Sequence, residues 1–368
     1  MKFDVGIEEI EAEVKDNILV IRSSKPLTVL SSAVLNGGLT EAHAIINVQV
    51  PEGSGEDKND EHWNAENFLK TQAQKLRLQN DKVVGLMTAA KMKNVSTATR
   101  RYDKTTLTLF VTAGTTVAVT AGEPAASKNP QKFGTINIIL IVDGNMTDGC
   151  MVEAHKTIAE AKTVALRELD VRSQFSGDLA SGTLTDTVAV ACTKRGSLIS
   201  FAGTFTLIGE LIGQSVRQCV KEAIYKQEKV AANRPLIERL AERGLQTENL
   251  PSLLATTQIP IESSKYIRFK TEVEQSLADK KIASLILTSL RFDDDVSKGL
   301  IPESDKGAVE QAVFEKIVLT AIRNYLSGKK CALNAEATKL KLRNETNLGP
   351  FTTCVLVTIL ENAYSKID

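Results

Sequence analysis

The spacing of apolar positions changes along the 368-residue chain, and each change predicts an element. In IEEIEAEVKDNILVIRS, residues 7–23, two alternating stretches flank a polar Lys-Asp-Asn break, the pattern of a β-hairpin. IINVQV alternates again before Pro51, and WNAENFLKTQAQKLRL, residues 63–78, predicts a helix. TTLTLFVTAGTTVAVTAG, residues 105–122, holds two β-branched runs meeting at Ala113-Gly114, which predicts a second hairpin. GTINIILIV, residues 134–142, is almost continuously apolar and is expected as a strand covered on both faces.

A helix over VEAHKTIAEAKTVALREL follows, with Ala154, Ile158, Ala161, Ala165 and Leu169 forming its buried stripe at steps of three and four. His155 and Lys162 fall on one flank of that stripe, and Glu160 lies nearer the opposite face. SGTLTDTVAVAC is a polar turn running into a further strand. TLIGELIGQSVRQCVKEAIYK is a second amphipathic helix, with Thr206 as its N-cap and Ile208, Leu211, Ser215 and Cys219 along one side. Polar stretches at 52–62 and 123–133 are expected as loops.

From KVAANRPLIERLAERGLQTENLP onward the pattern is helical with few strand signals, so a boundary is expected between residues 229 and 255. The fold class is therefore α/β (α+β). Mixed sheets and packed helices fill a first domain at 1–235, and a mainly α-helical domain occupies 250–368. No internal repeat is visible.

Composition narrows the function classes. Hydrophobic residues make up 42% and charged residues 24%, which are globular values. Lys+Arg and Asp+Glu balance at 45 each with a pI near 6.9, so no electrostatic pull favours nucleic acid or an anionic membrane, and a small-molecule partner is expected. No apolar run approaches the ~20 residues of a membrane helix and MKFDVGIEEIEAEV lacks a secretory core, which leads to the expectation of a cytoplasmic protein. Cys150, Cys192, Cys219, Cys331 and Cys354 are far apart and read as reduced thiols.

The candidate chemistry is sparse. His62 falls in the acidic loop, His43 near a strand and His155 on a helix flank, with no spacing that makes a metal site. Asn36-Gly37-Gly38 matches neither phosphate-binding glycine pattern. Hydroxyls and amides beside glycines remain, at three places. These are Ser31, Ser32 and Asn36 with Gly37 and Gly38; Thr135 and Asn137 after Gly134; and Thr183, Thr185 and Asp186 after Gly182. Glycines let backbone N–H groups approach a ligand, and a neighbouring hydroxyl could attack a carbonyl once Lys162 or Asp186 activates it.

At these places the chain resembles the adenosylcobinamide amidohydrolase family of cobamide salvage. LSSAVLNGGL with INVQVP, VGLMTAA, VTAG, GTINIILIV with TDGCMVEA and EAKTVAL, SGTLTDTVAVAC and FAGTFTLIGELIG carry the likeness in the family's order. The resemblance implies hydrolysis of the amide joining aminopropanol to the corrin ring, giving adenosylcobyric acid. The corrinoid is then the substrate, and no cofactor is required. On this reading Ser31, Ser32, Asn36, Gly37, Gly38, Asn47 and Asn137 contribute to substrate binding. Thr135, Lys162, Thr185 and Asp186 supply the reacting groups, with Asp186 as general base or orienter. The segment from GTINIILIVDG to SGTLTDTVAV also resembles the second half of ornithine acetyltransferases and related N-terminal-nucleophile hydrolases, which implies Thr135 as nucleophile and Gly134-Thr135 as a self-cleaved bond.

The C-terminal part resembles the α-ribazole phosphatase fused behind this amidohydrolase in some archaea, through LRFDDDVSKGLIP, AIRNYLSGKKCALN and LGPF. Of its acidic places Glu315 persists, but Thr352, Thr353 and Cys354 replace the acids after LGPF. Asp293, Asp294 and Asp295 persist as a run of the kind expected at a solvated helix edge. Weak or absent phosphatase activity is therefore expected, with Mg²⁺ needed only if that activity exists. The alternatives are a bifunctional enzyme and a corrinoid-binding protein without catalysis.

Overall fold

The structure, a computed structural model, describes residues 1–51, 64–124, 134–249, 263–302, 305, 307, 320, 322 and 335–366. The loop expected at 52–62 with His62, most of the loop expected at 123–133, Glu315 and the segment 321–334 with Cys331 lie outside the described residues, apart from Ile322.

β1 (Lys2–Phe3) pairs with β2 (Ile10–Lys15), which forms the expected hairpin with β3 (Ile18–Ser31). Asp16 and Asn17 close it at φ 50° and 61°, left-handed angles that Asp and Asn tolerate better than branched residues do. β3 runs antiparallel to β4 (Gly38–Gln49) across an irregularity between Arg22 and Leu27. β5 (Val83–Thr88) joins β4 in parallel. The helix predicted over 63–78 is α1 (Ala65–Lys75), capped by the Asn64 side chain, and its Leu69 and Ala73 pack on Ile46 and Val48.

β6 (Ser96–Tyr102) and β7 (Thr105–Gly114) form a hairpin at Asp103, whereas the one expected at Ala113-Gly114 does not form. β6 and β9 (Thr135–Asp143) already occupy both edges of β7. Past Gly114 the Glu228 carboxylate accepts from Thr115 N at 2.8 and 2.9 Å and from the Thr116 hydroxyl at 3.0 Å, turning the chain aside. β8 (Ala118–Val119) consequently pairs with β11 (Gly182–Thr183) instead. β10 (Asn145–Met146) pairs with β13 (Leu198–Ile199).

β9 and β12 (Thr187–Cys192) are parallel neighbours in the sheet order β1-β2-β3-β12-β9-β7-β6. Every residue of β9 from Thr135 to Val142 is buried, as its apolar run predicts. Ile136, Ile138, Leu140 and Val142 face α2 (Asp148–Glu168) and α3 (Leu207–Glu228), whereas Ile139 and Ile141 face Phe110, Ile21 and Leu86. The second set fills an interior because the sheet curls until β4 and β5 oppose β7 and β9. Asn47 Nδ2 donates to Thr112 Oγ1 at 2.9 Å across that interior. The layers are thus α2 with α3, two faces of one curled sheet, and α1. In α3 Thr206 caps as predicted, and the buried line is centred on Ile212, Ser215, Val216 and Cys219, with Ile208 and Leu211 at its margin.

After Ala232 the chain continues in a second compact unit, which also includes 176–178. Its described helices are α4 (Leu236–Ala241), α5 (Ser263–Ala278), α6 (Lys280–Ser297), α7 (Ala335–Glu345) and α8 (Pro350–Ser365). Phe269, Ile286, Val355 and Ile359 centre its core. Asp293 is not at a solvated edge. It is buried and accepts from Phe351 N at 3.0 Å and Thr352 N at 2.8 Å, capping α8 from α6, and Gly349 leaves it room, since a Cβ there would lie 2.3 Å from its Cγ. Burial is the main force raising the Asp293 pKa. Among the described residues no helix is long and apolar enough to cross a membrane.

Burial also decides the state of three thiols. It raises Cys150 and Cys219 to about 11 each and raises Cys192 as well, so thiolate is scarce at neutral pH. A C331S/C354S variant should give no reaction with a thiol-specific chromogenic reagent at pH 7.5 until denaturant is added, when three thiols should react.

Candidate active site

Four hydrogen-bond donors converge on the Asp186 carboxylate, immediately ahead of β12. Oδ1 accepts from Ile136 N at 3.0 Å and from the Thr183 hydroxyl at 2.5 Å. Oδ2 accepts from Thr183 N at 3.1 Å and from the Lys162 ammonium. The donors come from β9, β11 and α2, so one carboxylate fixes the start of β9 against two other elements. Both partners of the ion pair are 13% exposed, which leaves little water to replace a lost contact. Gly182 is required for this approach, because a Cβ there would lie 2.5 Å from Asp186 Oδ2 and 2.8 Å from Lys162 Nζ.

Thr135 opens β9 beside this cluster, with its hydroxyl 2.7 Å from that of Thr185. The carbonyl of Gly134 accepts from the Thr185 hydroxyl at 3.1 Å and lies 2.8 Å from the Thr183 hydroxyl, whose single hydrogen it shares with Asp186 Oδ1. These hydroxyls polarise the carbonyl in a place where Gly134 and Thr135 are both buried. Gly134 is held tightly, since a Cβ would lie 2.8 Å from Gly114 O. Thr135, Thr185, Lys162 and Asp186, which the sequence singles out, are thus brought together, and Thr183 joins them as the residue that binds both the carboxylate and the Gly134 carbonyl.

Asn137, two residues along β9, turns into the interior. Its Nδ2 donates to Asn47 Oδ1 at 2.9 Å and to Met87 O at 2.8 Å, and its Oδ1 is buried without a partner. Asn47 and Asn137 therefore meet each other, through contacts made across the curl of the sheet.

Ser32 continues the ladder between β3 and β12, its N–H donating to Val188 O at 3.0 Å and its hydroxyl accepting from Val188 N at 3.1 Å. Ser31 lines a shallow groove of about 330 Å³ together with Leu30, Ser32, Val152, His155 and Lys156. Burial, with the Lys162 charge as a smaller cause, lowers the His155 pKa, which keeps the imidazole neutral at pH 7. Asn36, Gly37 and Gly38 serve a different place. Asn36 sits at φ 54° and donates Nδ2 to Asn80 O at 2.6 Å and Val83 O at 2.7 Å, while Leu35 exchanges backbone hydrogen bonds with Gly85. A Cβ on Gly37 would lie 2.4 Å from Ala33 O, and Gly38 takes φ 90°. These residues shape the turn from β3 into β4 and pin it to β5. His43 lies within β4, its Nδ1 3.4 Å from Ser23 O. Among the described residues no three His, Cys, Asp or Glu side chains gather as a metal site would need.

A family model described as adenosylcobinamide amidohydrolase matches residues 3–232. An uncharacterized protein of Methanocaldococcus jannaschii is 35% identical over 174 residues, covering 42% of this chain and 68% of its own length. The protein named adenosylcobinamide amidohydrolase from Methanosarcina mazei is 29% identical over 224 residues, covering 58% of this chain and 98% of its own length. A solved structure from Pyrococcus horikoshii covers 58% of this chain and 78% of its own, at 12% identity and a TM-score of 0.31, a likeness too remote to bear on the site. The family match ends where the second unit begins, and nothing in the comparisons supports the phosphatase expected there.

Removing the carboxylate leaves the Lys162 ammonium and three other donors facing a void. Asp186→Ala should lower unfolding stability in a urea titration by about 3 to 5 kcal/mol, the range for breaking a buried pair from one side. A loss below about 1 kcal/mol would show that the cluster does not hold the strand ends.

Proposed function

The chain belongs to the adenosylcobinamide amidohydrolase family, and from that premise we propose that its first unit hydrolyses the amide between the corrin ring and aminopropanol in adenosylcobinamide. Water is added across the C–N bond, leaving adenosylcobyric acid and free aminopropanol. The observation that carries this reading is the meeting of Thr135, Thr185, Lys162 and Asp186 at the start of β9 and β12.

In the proposed reaction the Thr135 hydroxyl, oriented by its hydrogen bond with Thr185, adds to the amide carbonyl as its proton moves to the Thr135 α-amine freed by the maturation described below. The Lys162 ammonium supplies positive charge for the oxyanion. The C–N bond then breaks, the proton goes to the departing amine, and water cleaves the Thr135 ester. Asp186 is the orienter. Both its oxygens face donors from β9, β11 and α2, and so it holds these elements around Thr135.

One observation favours maturation before the first turnover. The Gly134 carbonyl, one bond from Thr135, lies within hydrogen-bond distance of two hydroxyls, those of Thr183 and Thr185. Attack of the Thr135 hydroxyl on that carbonyl breaks the Gly134–Thr135 C–N bond and forms an ester. Hydrolysis of the ester leaves a Gly134 carboxylate and a free Thr135 amine, which can then serve as base to its own hydroxyl.

Incubation with adenosylcobinamide should release aminopropanol stoichiometrically with adenosylcobyric acid, measured by chromatography of both products. Thr135→Ala should slow release by roughly 10³-fold or more. Corrinoid bound without any aminopropanol released would overturn the hydrolytic reading in favour of a binding protein. Intact-mass measurement of active enzyme should find fragments ending at Gly134 and beginning at Thr135, and a single unbroken active chain would exclude self-cleavage.

A further inference from the structure

The loop between β13 and α3 presents two aromatic rings to solvent on a backbone that is firmly held. Phe201 is 67% exposed and Phe205 fully exposed, with Leu207 and Val152 more than half exposed. Glu153 on α2 accepts from Ala202 N at 2.8 Å and Gly203 N at 3.1 Å, and the Thr157 hydroxyl donates to Ala202 O at 2.9 Å. Thr206 donates its hydroxyl to Gly203 O at 2.8 Å and accepts from Gly209 N at 3.0 Å. Gly209 packs directly on the loop, because a Cβ there would lie 1.9 Å from Gly203 O. Scattered exposed phenylalanines need no explanation, but a pair on an anchored loop, with apolar neighbours, marks a contact surface.

The loop is anchored next to the groove that holds Ser31, His155 and Lys156. Val152 lines that groove, and the following residue, Glu153, is the one that holds the loop backbone. Ser31 pairs with Ala189 on β12, whose leading end carries Asp186, and Lys162 lies two helical turns beyond His155 on α2. A ligand reaching from the phenylalanines to Asp186 must therefore be large, offer a broad apolar face and carry polar groups at its rim.

We propose that the phenylalanine loop and this groove seat the macrocycle of the corrinoid, an inference that rests on the function proposed above. Phe201 and Phe205 meet the flat, largely apolar ring. Ser31, His155 and Lys156 meet the amide side chains around it. Because the loop is already ordered, ring binding costs little conformational entropy.

The test uses the full chain, adenosylcobinamide as probe and the F201S/F205S variant. Both side chains point to solvent, so the fold should survive, which circular dichroism checks. Equilibrium dialysis should show Kd raised roughly tenfold or more, with the loss in turnover falling on KM more than on kcat. F201Y/F205Y, which keeps the rings, should bind within about threefold of the unaltered protein. Equal affinity in F201S/F205S overturns the inference, as does absence of binding to the unaltered chain. A dimer that dissociates in F201S/F205S with unchanged corrinoid affinity overturns it too, by giving the surface to a second copy. Tight binding without aminopropanol release removes the hydrolytic reading alone, and the ratio of Kd values still decides the seat of the ring.

Discussion

The arrangement at the start of β9 depends on one carboxylate that is saturated with donors. Asp186 receives the backbone of β9, the backbone and side chain of β11 and the ammonium of α2. A charge this far from water is tolerable only with such partners, and the partners are in turn fixed by it. The position of Thr135, next to the Ile136 N–H that Asp186 accepts, and the bare α-carbon at Gly182 follow from satisfying Asp186.

Where an element's burial is set by its own neighbours in sequence, the amino-acid pattern was sufficient. The unbroken apolar run of β9, the three-and-four spacing of α2 and the Thr206 cap of α3 are of this kind. The supposed hairpin at Gly114 was not legible, because its failure depends on β6 and β9 occupying both edges of β7 and on Glu228, 113 residues further on, catching Thr115. Asp293 misled for a similar reason. Its run of acids suits a surface, yet the chain brings α8's unpaired N–H groups to it from 58 residues on.

The candidate site divides along the same line. Thr135, Thr185 and Asp186 stood out because each follows a glycine within four residues, and the structure shows why glycine is needed at 134 and 182. The same signal at Asn36-Gly37-Gly38 accompanies left-handed and crowded backbone in a turn. Phe201 and Phe205 lie within a segment that resembles the family, but nothing in their spacing says that both rings point outward. That depends on Glu153 and Thr157 from a helix some 45 residues earlier.

The pair of amides inside the curled sheet has a consequence for how the chain avoids misfolding. Strands as uniformly apolar as β9 and β12 pair almost equally well when shifted along one another, since valine and isoleucine look alike from either side. Asn137 and Asn47 break that degeneracy. Displaced by one residue, β9 would push an amide toward α2 and α3 and strand the groups that now answer it at Asn47 and Met87, at roughly 1 to 3 kcal/mol for each unpaired polar group. The two side chains act as a key that only one alignment turns.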